Sequence, residues 1–219
     1  MKSLRNMLAF ASLLIFAQSS MAAFVGRDLH AIGDGLLTFD SATNLEWLDV
    51  TASLQRNYSD VHAQLGAGGN FSGFRYATLS EMESLFQNAG ITPGDGAFVD
   101  VGQVAQVEQF VAFFGRTWFA EDGFPGPGVR GIYGQADGDE AHFMADAGIN
   151  TSNNTTASFI GGQCVFECAS FPDARTNPAI GSFLVREAAS VVPIPATGWL
   201  LLSGLVGLSR SAKKRRSGA

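Results

Sequence analysis

The sequence predicts one α+β domain, with short helices mainly in its first half and antiparallel strands mainly in its second, flanked at each chain end by a short apolar helix. Three observations lead there. Residues 80–88 and 101–114 carry apolar side chains at helical spacing. From Gly115 onward, glycines punctuate short apolar runs of strand length. The cationic residues crowd the two ends and leave an acidic middle. A chain of 219 residues suits one domain, or two small ones, with enough length for a real core.

The elements follow in order. Residues 36–39 and 45–48 are apolar runs separated by the turn formers Asp40, Ser41, Thr43 and Asn44, the rhythm of a hairpin. Ser59 is placed to cap a short helix through Leu65, with Val61 and Leu65 on one face and Gly66 past its end. Residues 66–70 form a loop, and 75–77 a short strand. Ser80 and Glu83, three apart, read as a capping box opening a helix through Asn88, with Met82, Leu85, Phe86 and Ala89 on one stripe. Asp100 is placed to cap a helix over 101–114, whose stripe is Val101, Val104, Val107, Val111 and Phe114 and whose end is Gly115. Strands are expected at 117–120, 129–135, 141–145, 157–161 and 181–186.

Charge excludes whole classes of partner. Between residues 23 and 195, seven arginines and no lysine stand against all twenty acidic residues, a balance of −13. Nucleic acid is a poor partner for such a body, because phosphate contacts need clustered cations. A basic membrane-surface domain is excluded on the same ground.

The ends carry addresses. Residues 1–22 read as a secretory signal: Lys2 and Arg5, an apolar run over 7–17, then small residues with cleavage expected after Ala22 or Ala23. The body is then 23–190. The tail, 191–219, holds a short apolar helix over 196–208 and a basic cluster. Thirteen residues of helix reach only about 20 Å, short of the roughly 30 Å hydrocarbon core. The basic tail should stay cytoplasmic and the acidic body outside.

Residues 192–216 resemble a PEP-CTERM sorting signal: Val192-Pro193-Ile194-Pro195-Ala196, a short helix with Trp199, Ser203 and Gly204, then Arg210, Lys213, Lys214, Arg215 and Arg216. Ile194 stands where the family has its name-giving glutamate. The resemblance implies export by the Sec machinery and transient membrane contact through the tail. An exosortase, a membrane transpeptidase-like enzyme, would then recognise the motif and pass the protein to the cell surface or extracellular matrix, with exopolysaccharide as a partner.

A second resemblance lies within the body. Residues 44–49 (NLEWLD), 68–78 (GGNFSGFRYAT), 81–86 and 183–186 (FLVR) are similar to a domain common in PEP-CTERM proteins and, more distantly, to the Lcl C-terminal domain. That implies a fold related to C-type-lectin-like domains. Asn44 and Phe74-Arg75-Tyr76-Ala77 depart from the family's Gly and Trp-Arg-Leu-Pro.

Chemistry-bearing residues are sparse. Cys164 and Cys168, the only cysteines, suit a small disulfide loop in an exported chain, with a metal pair as the alternative. His30, His62 and His142 lack metal spacing, and no nucleophile elbow, Walker loop or dinucleotide fingerprint occurs. Asp137, Asp139 and Glu140 with Asp146, and Glu121 with Asp122, are acidic clusters on glycine loops; Ca²⁺ favours such oxygens, and solvated turns are the plain alternative. Trp118 and Tyr133, with Trp47 and Tyr76, could stack on sugar rings or lie in the core, the expected place for Trp47. Arg75 is expected to be a buried structural arginine paired with Glu46 or Glu81. No catalytic motif is present, so the expected role is structural or carbohydrate-binding. An extracellular hydrolase would need His142 to converge with Asp137, Asp139 or Glu140; a stably membrane-anchored protein is the other rival.

Overall fold

The computed structural model describes residues 24–94, 96–98, 100–118, 125–138, 140–161 and 170–189. The predicted hairpin forms as β2 (Leu37–Asp40) and β3 (Leu45–Leu48), with Asn44 at φ 58° in the turn. Before it runs β1 (Phe24–Arg27), and after it a 3₁₀ turn, Val50–Ser53, capped by the Asp49 carboxylate. Then come α1 (Tyr58–Ala63), β4 (Arg75–Tyr76), α2 (Leu79–Asn88) and α3 (Val104–Phe114). Six further strands follow among the described residues: β5 (Gly128–Ala136), β6 (Ala141–Asn150), β7 (Thr155–Ile160), β8 (Ser170–Pro172), β9 (Gly181–Ser182) and β10 (Leu184–Glu187). The α+β class follows, and the contacts through Ala188 form one unit, with the chain from Ala189 a second.

One sheet has the order β1-β2-β3-β10-β4, antiparallel throughout. The other is β7-β6-β5-β9, with β8 pairing the first part of β6 beside β7. The strand expected over 181–186 is two strands in two sheets. Phe183, fully buried, makes the crossing: its N–H donates to the Ile132 carbonyl, and its own carbonyl accepts from Ala77. The second sheet is also not wholly antiparallel, because β9 runs parallel to β5.

Strand alternation divides the apolar side chains between two cores. Leu45, Trp47, Tyr133, Ala147 and Val185 pack with α2 and α3 in one, while Leu37, Leu48, Ile132, Met144 and Leu184 pack with Phe71 and Phe74 in the other. Both faces of β3 are therefore covered, and all four of its residues are buried. Glu46 is tolerated there because Arg27 donates to one carboxylate oxygen at 2.6 Å and Arg186 to the other at 2.9 Å. Burial works to raise the Glu46 carboxyl, but the two guanidiniums prevail and hold it below its usual range.

Helix starts fall a few residues from their sequence positions. Asn57, not Ser59, caps α1, accepting from the Asp60 N–H. The capping box at α2 is Thr78 with Glu81, two residues ahead of the Ser80–Glu83 expectation. Helix α3 begins at Val104 rather than Val101, with no side-chain cap. Asp100 is drawn instead into a two-way backbone pairing with Thr156, which leaves Val101 71% exposed.

Arg75 selects Glu81, donating through both terminal nitrogens at 2.7 and 2.6 Å, and its side chain is 47% exposed, so the pair lies at the surface rather than buried as expected. The Arg75 bonds, against burial and helped by the Thr78 N–H, lower the Glu81 carboxyl from 4.5 to about 2. A folded-state value below the unfolded one stabilises fully above about pH 4.5, and that contribution disappears as pH falls toward 2. Glu81→Gln keeps the capping geometry and removes the charge. It should cost about 1–2 kcal/mol at pH 7, after allowance for screening of an exposed pair, and much less at pH 2, where the folded carboxyl is itself about half protonated. Urea unfolding at both pH values checks this; an equal cost at both would show that the charge is irrelevant.

Candidate functional site

The aromatics nominated for sugar stacking lie inside. Trp118 is 1% exposed and Tyr133 fully buried, so neither offers a ring face to a glycan. The physical reason is specific in each case. Gly128 and Gly148, directly opposite each other on β5 and β6, leave the space that the Trp118 indole fills, and Arg130 lies 4.4 Å from its ring centre. Tyr133 points into the helix-covered core and donates its hydroxyl to the Gly161 carbonyl.

The acidic cluster around Asp137 is divided. Asp137 and Glu140 are exposed on the β5–β6 turn, where Gly138 has φ 82°, whereas Asp146 faces inward. Arg130 donates to Asp146 Oδ2 through Nε at 3.0 Å and a terminal nitrogen at 2.5 Å. Burial pushes the Asp146 carboxyl up to about 6, against the pull of that guanidinium. Among the described residues, no group of three or more His, Cys, Asp or Glu side chains gathers to hold a metal ion. Asp139, Cys164, Cys168 and the whole 191–219 segment, with its sorting motif and basic cluster, lie outside the described residues.

His142 pairs with Asp173, and Glu140 lines the same cavity as that aspartate. Its Nδ1 lies 2.8 Å from Asp173 Oδ1, and its ring stacks on Tyr58 at 3.6 Å, with Tyr58 stacked on Tyr76 at 4.4 Å. The Tyr76 hydroxyl bonds to Ser182 and the Tyr58 carbonyl, fixing the column. A cavity of about 340 Å³ opens beside it, lined by Ser59, Glu140 and Asp173 among others. A carboxylate-oriented imidazole can serve as a general base. Among the described residues, no hydroxyl or thiol is hydrogen-bonded to the other ring nitrogen.

A second cavity, of about 460 Å³, was invisible in the sequence. Leu36, Leu48 and Phe71 supply apolar wall, and His30, Arg56 and Asn70 supply the polar groups. One wall is a strap over residues 28–36 wound around Asp34, whose carboxylate accepts from the N–H groups of Leu29, His30, Ala31 and Leu36. Those amides hold the Asp34 carboxyl far below the usual range, the Ala31 N–H most of all. The opposite wall is a loop tied to Gln64, which accepts from the N–H groups of Asn70 and Phe71. The only hint of this site in the sequence is that no acidic residue lies within three positions of Arg56.

No family model, curated protein or solved structure matches this chain. Among the described residues, no helix is long and apolar enough to cross a membrane.

Proposed function

We propose that this is an exported bacterial protein of the cell surface or extracellular matrix, sorted by an exosortase through its C-terminal tail, with a structural or carbohydrate-binding body. The observation that carries the reading is the order of three parts within residues 192–216: Pro193-Ile194-Pro195, a short apolar stretch holding Trp199, and the Arg210–Arg216 cations. The fold is in keeping with cleavage there. The last described strand, β10, lies between β3 and β4, and the unit it belongs to ends at Ala188, ahead of the motif at 192–196.

The body is read as lectin-like in architecture. Of the four segments that carry that resemblance, 44–49, 68–78 and 183–186 contribute β3, β4 and β10, which are neighbours in one sheet in the order β3-β10-β4. With Trp118 and Tyr133 buried, a ligand role passes to the Arg56 cavity.

Intact mass and fractionation of the native protein test the sorting. A product beginning near Ala23 and ending near Pro195, at the surface or in the medium, is expected. A mature protein that keeps Trp199 and the basic cluster in the inner membrane would make the tail an anchor and overturn the reading.

A further inference from the structure

We infer that the cavity at Arg56 binds a small organic carboxylate, with the guanidinium taking the carboxylate and the leucine and phenylalanine walls taking a compact apolar body. This names a ligand class for the binding role proposed above but does not depend on sorting, since each has its own measurement.

The inference begins with the arginines. In a body with seven arginines and twenty acids, carboxylates claim four of the guanidiniums among the described residues. Arg27 and Arg186 share Glu46, Arg75 takes Glu81, and Arg130 takes Asp146. Arg56 and Arg175 take none among the described residues, and of the two it is Arg56 that lines the 460 Å³ cavity, its guanidinium 5.5 Å from the Phe71 ring centre. That contact orients the group while leaving its fork of N–H donors unspent, the geometry that matches a carboxylate in bidentate fashion.

Two further polar side chains, both exposed, line the same space. Neither the His30 ring nor the Asn70 amide has a hydrogen-bond partner among the described residues, although the backbone N–H of each is engaged. Donors in an apolar-walled concavity are the usual composition of a small-molecule site, and about 460 Å³ lies within the usual range of such sites. The walls need no ligand to form. Asp34 fixes the strap, and Gly69 approaches the Gln64 backbone so closely that a Cβ there would collide with its carbonyl. A preformed site loses less ordering entropy on binding.

The experiment titrates the purified full-length chain with two acids, cyclohexanecarboxylate and glucuronate, and with their neutral counterparts, cyclohexylmethanol and glucose, by calorimetry. Saturable binding of an acid with Kd of about 1 mM or tighter, and at least about tenfold preference over its neutral counterpart, is expected. Whichever acid binds more tightly identifies the source, a hydrocarbon acid or an acidic sugar. Arg56→Gln should weaken acid binding by about tenfold or more. Arg175→Gln, which removes an arginine stacked on Phe171 away from this cavity, should leave it unchanged. If Arg56→Gln does not fold, the native chain decides through salt: preference for the acid should fade as ionic strength rises. Equal binding of acid and neutral compound, equal losses in both arginine variants, or no saturation by either acid at about ten times that Kd would each overturn the inference.

Discussion

Trp47→Ala is expected to destabilise the body by about 3–5 kcal/mol, the usual cost of removing a fully buried aromatic side chain. Trp47 is 1% exposed and lies on β3 between Thr38 of β2 and Val185 of β10. Its ring meets Phe114 of α3 edge-on at 6.2 Å, tying the helix to the sheet. One detail separates the ring from its polar atom: the indole Nε1 is buried without a hydrogen-bond partner among the described residues. Trp47→Phe deletes that unsatisfied donor and keeps most of the apolar contact, so it should cost less than about 2 kcal/mol. Urea midpoints for both variants check the pair. An alanine variant within about 1 kcal/mol of native would place the side chain outside the core, contrary to its packing.

Gly128→Ala is expected to cost about 1–3 kcal/mol or more, through overpacking rather than loss of contact. A Cβ on Gly128 would overlap Cε2 and Cζ2 of Trp118, and one on Gly148 would overlap Cζ2 of the same ring. Both glycines sit in the β5–β6 ladder, so the backbone cannot withdraw without breaking hydrogen bonds. The indole cannot easily move either, being buried beneath Arg130. Combining Gly128→Ala with Trp118→Leu should cost clearly less than the sum of the single changes, because the smaller side chain frees the space. Strictly additive costs in thermal or urea unfolding would mean that the glycine is required for some reason other than the ring.

Local grammar made much of the fold legible. The β2–β3 hairpin needed only two apolar runs and a turn, and α2 only an apolar stripe, its capping box lying at Thr78 and Glu81 rather than at Ser80 and Glu83. Errors appear where a distant partner competes. Asp100 is a good cap in isolation, but Thr156, 56 positions away, claims its backbone and delays α3 by three residues. Arg75 had two candidate acids, and the choice lay with β10: its register sets Arg186 opposite Glu46, leaving Glu81 for Arg75. The candidate sites were the least legible part. His142 meets Asp173 across 31 positions, and the walls around Arg56 come from a strap, the end of β3, a 3₁₀ turn and the loop ending at Phe71.

By itself, the sequence determined the segregation of charge, the acidic body that disfavours nucleic acid, the mixed α+β class and the elements whose signals span a few residues. Those properties depend on composition or on neighbours along the chain. Only the tertiary structure decided that Trp118 and Tyr133 are core, that residues 181–186 are shared between two sheets, and that Arg56 lines a cavity with no carboxylate partner among the described residues. These depend on strand register and sheet order, which bring together side chains that no local period relates.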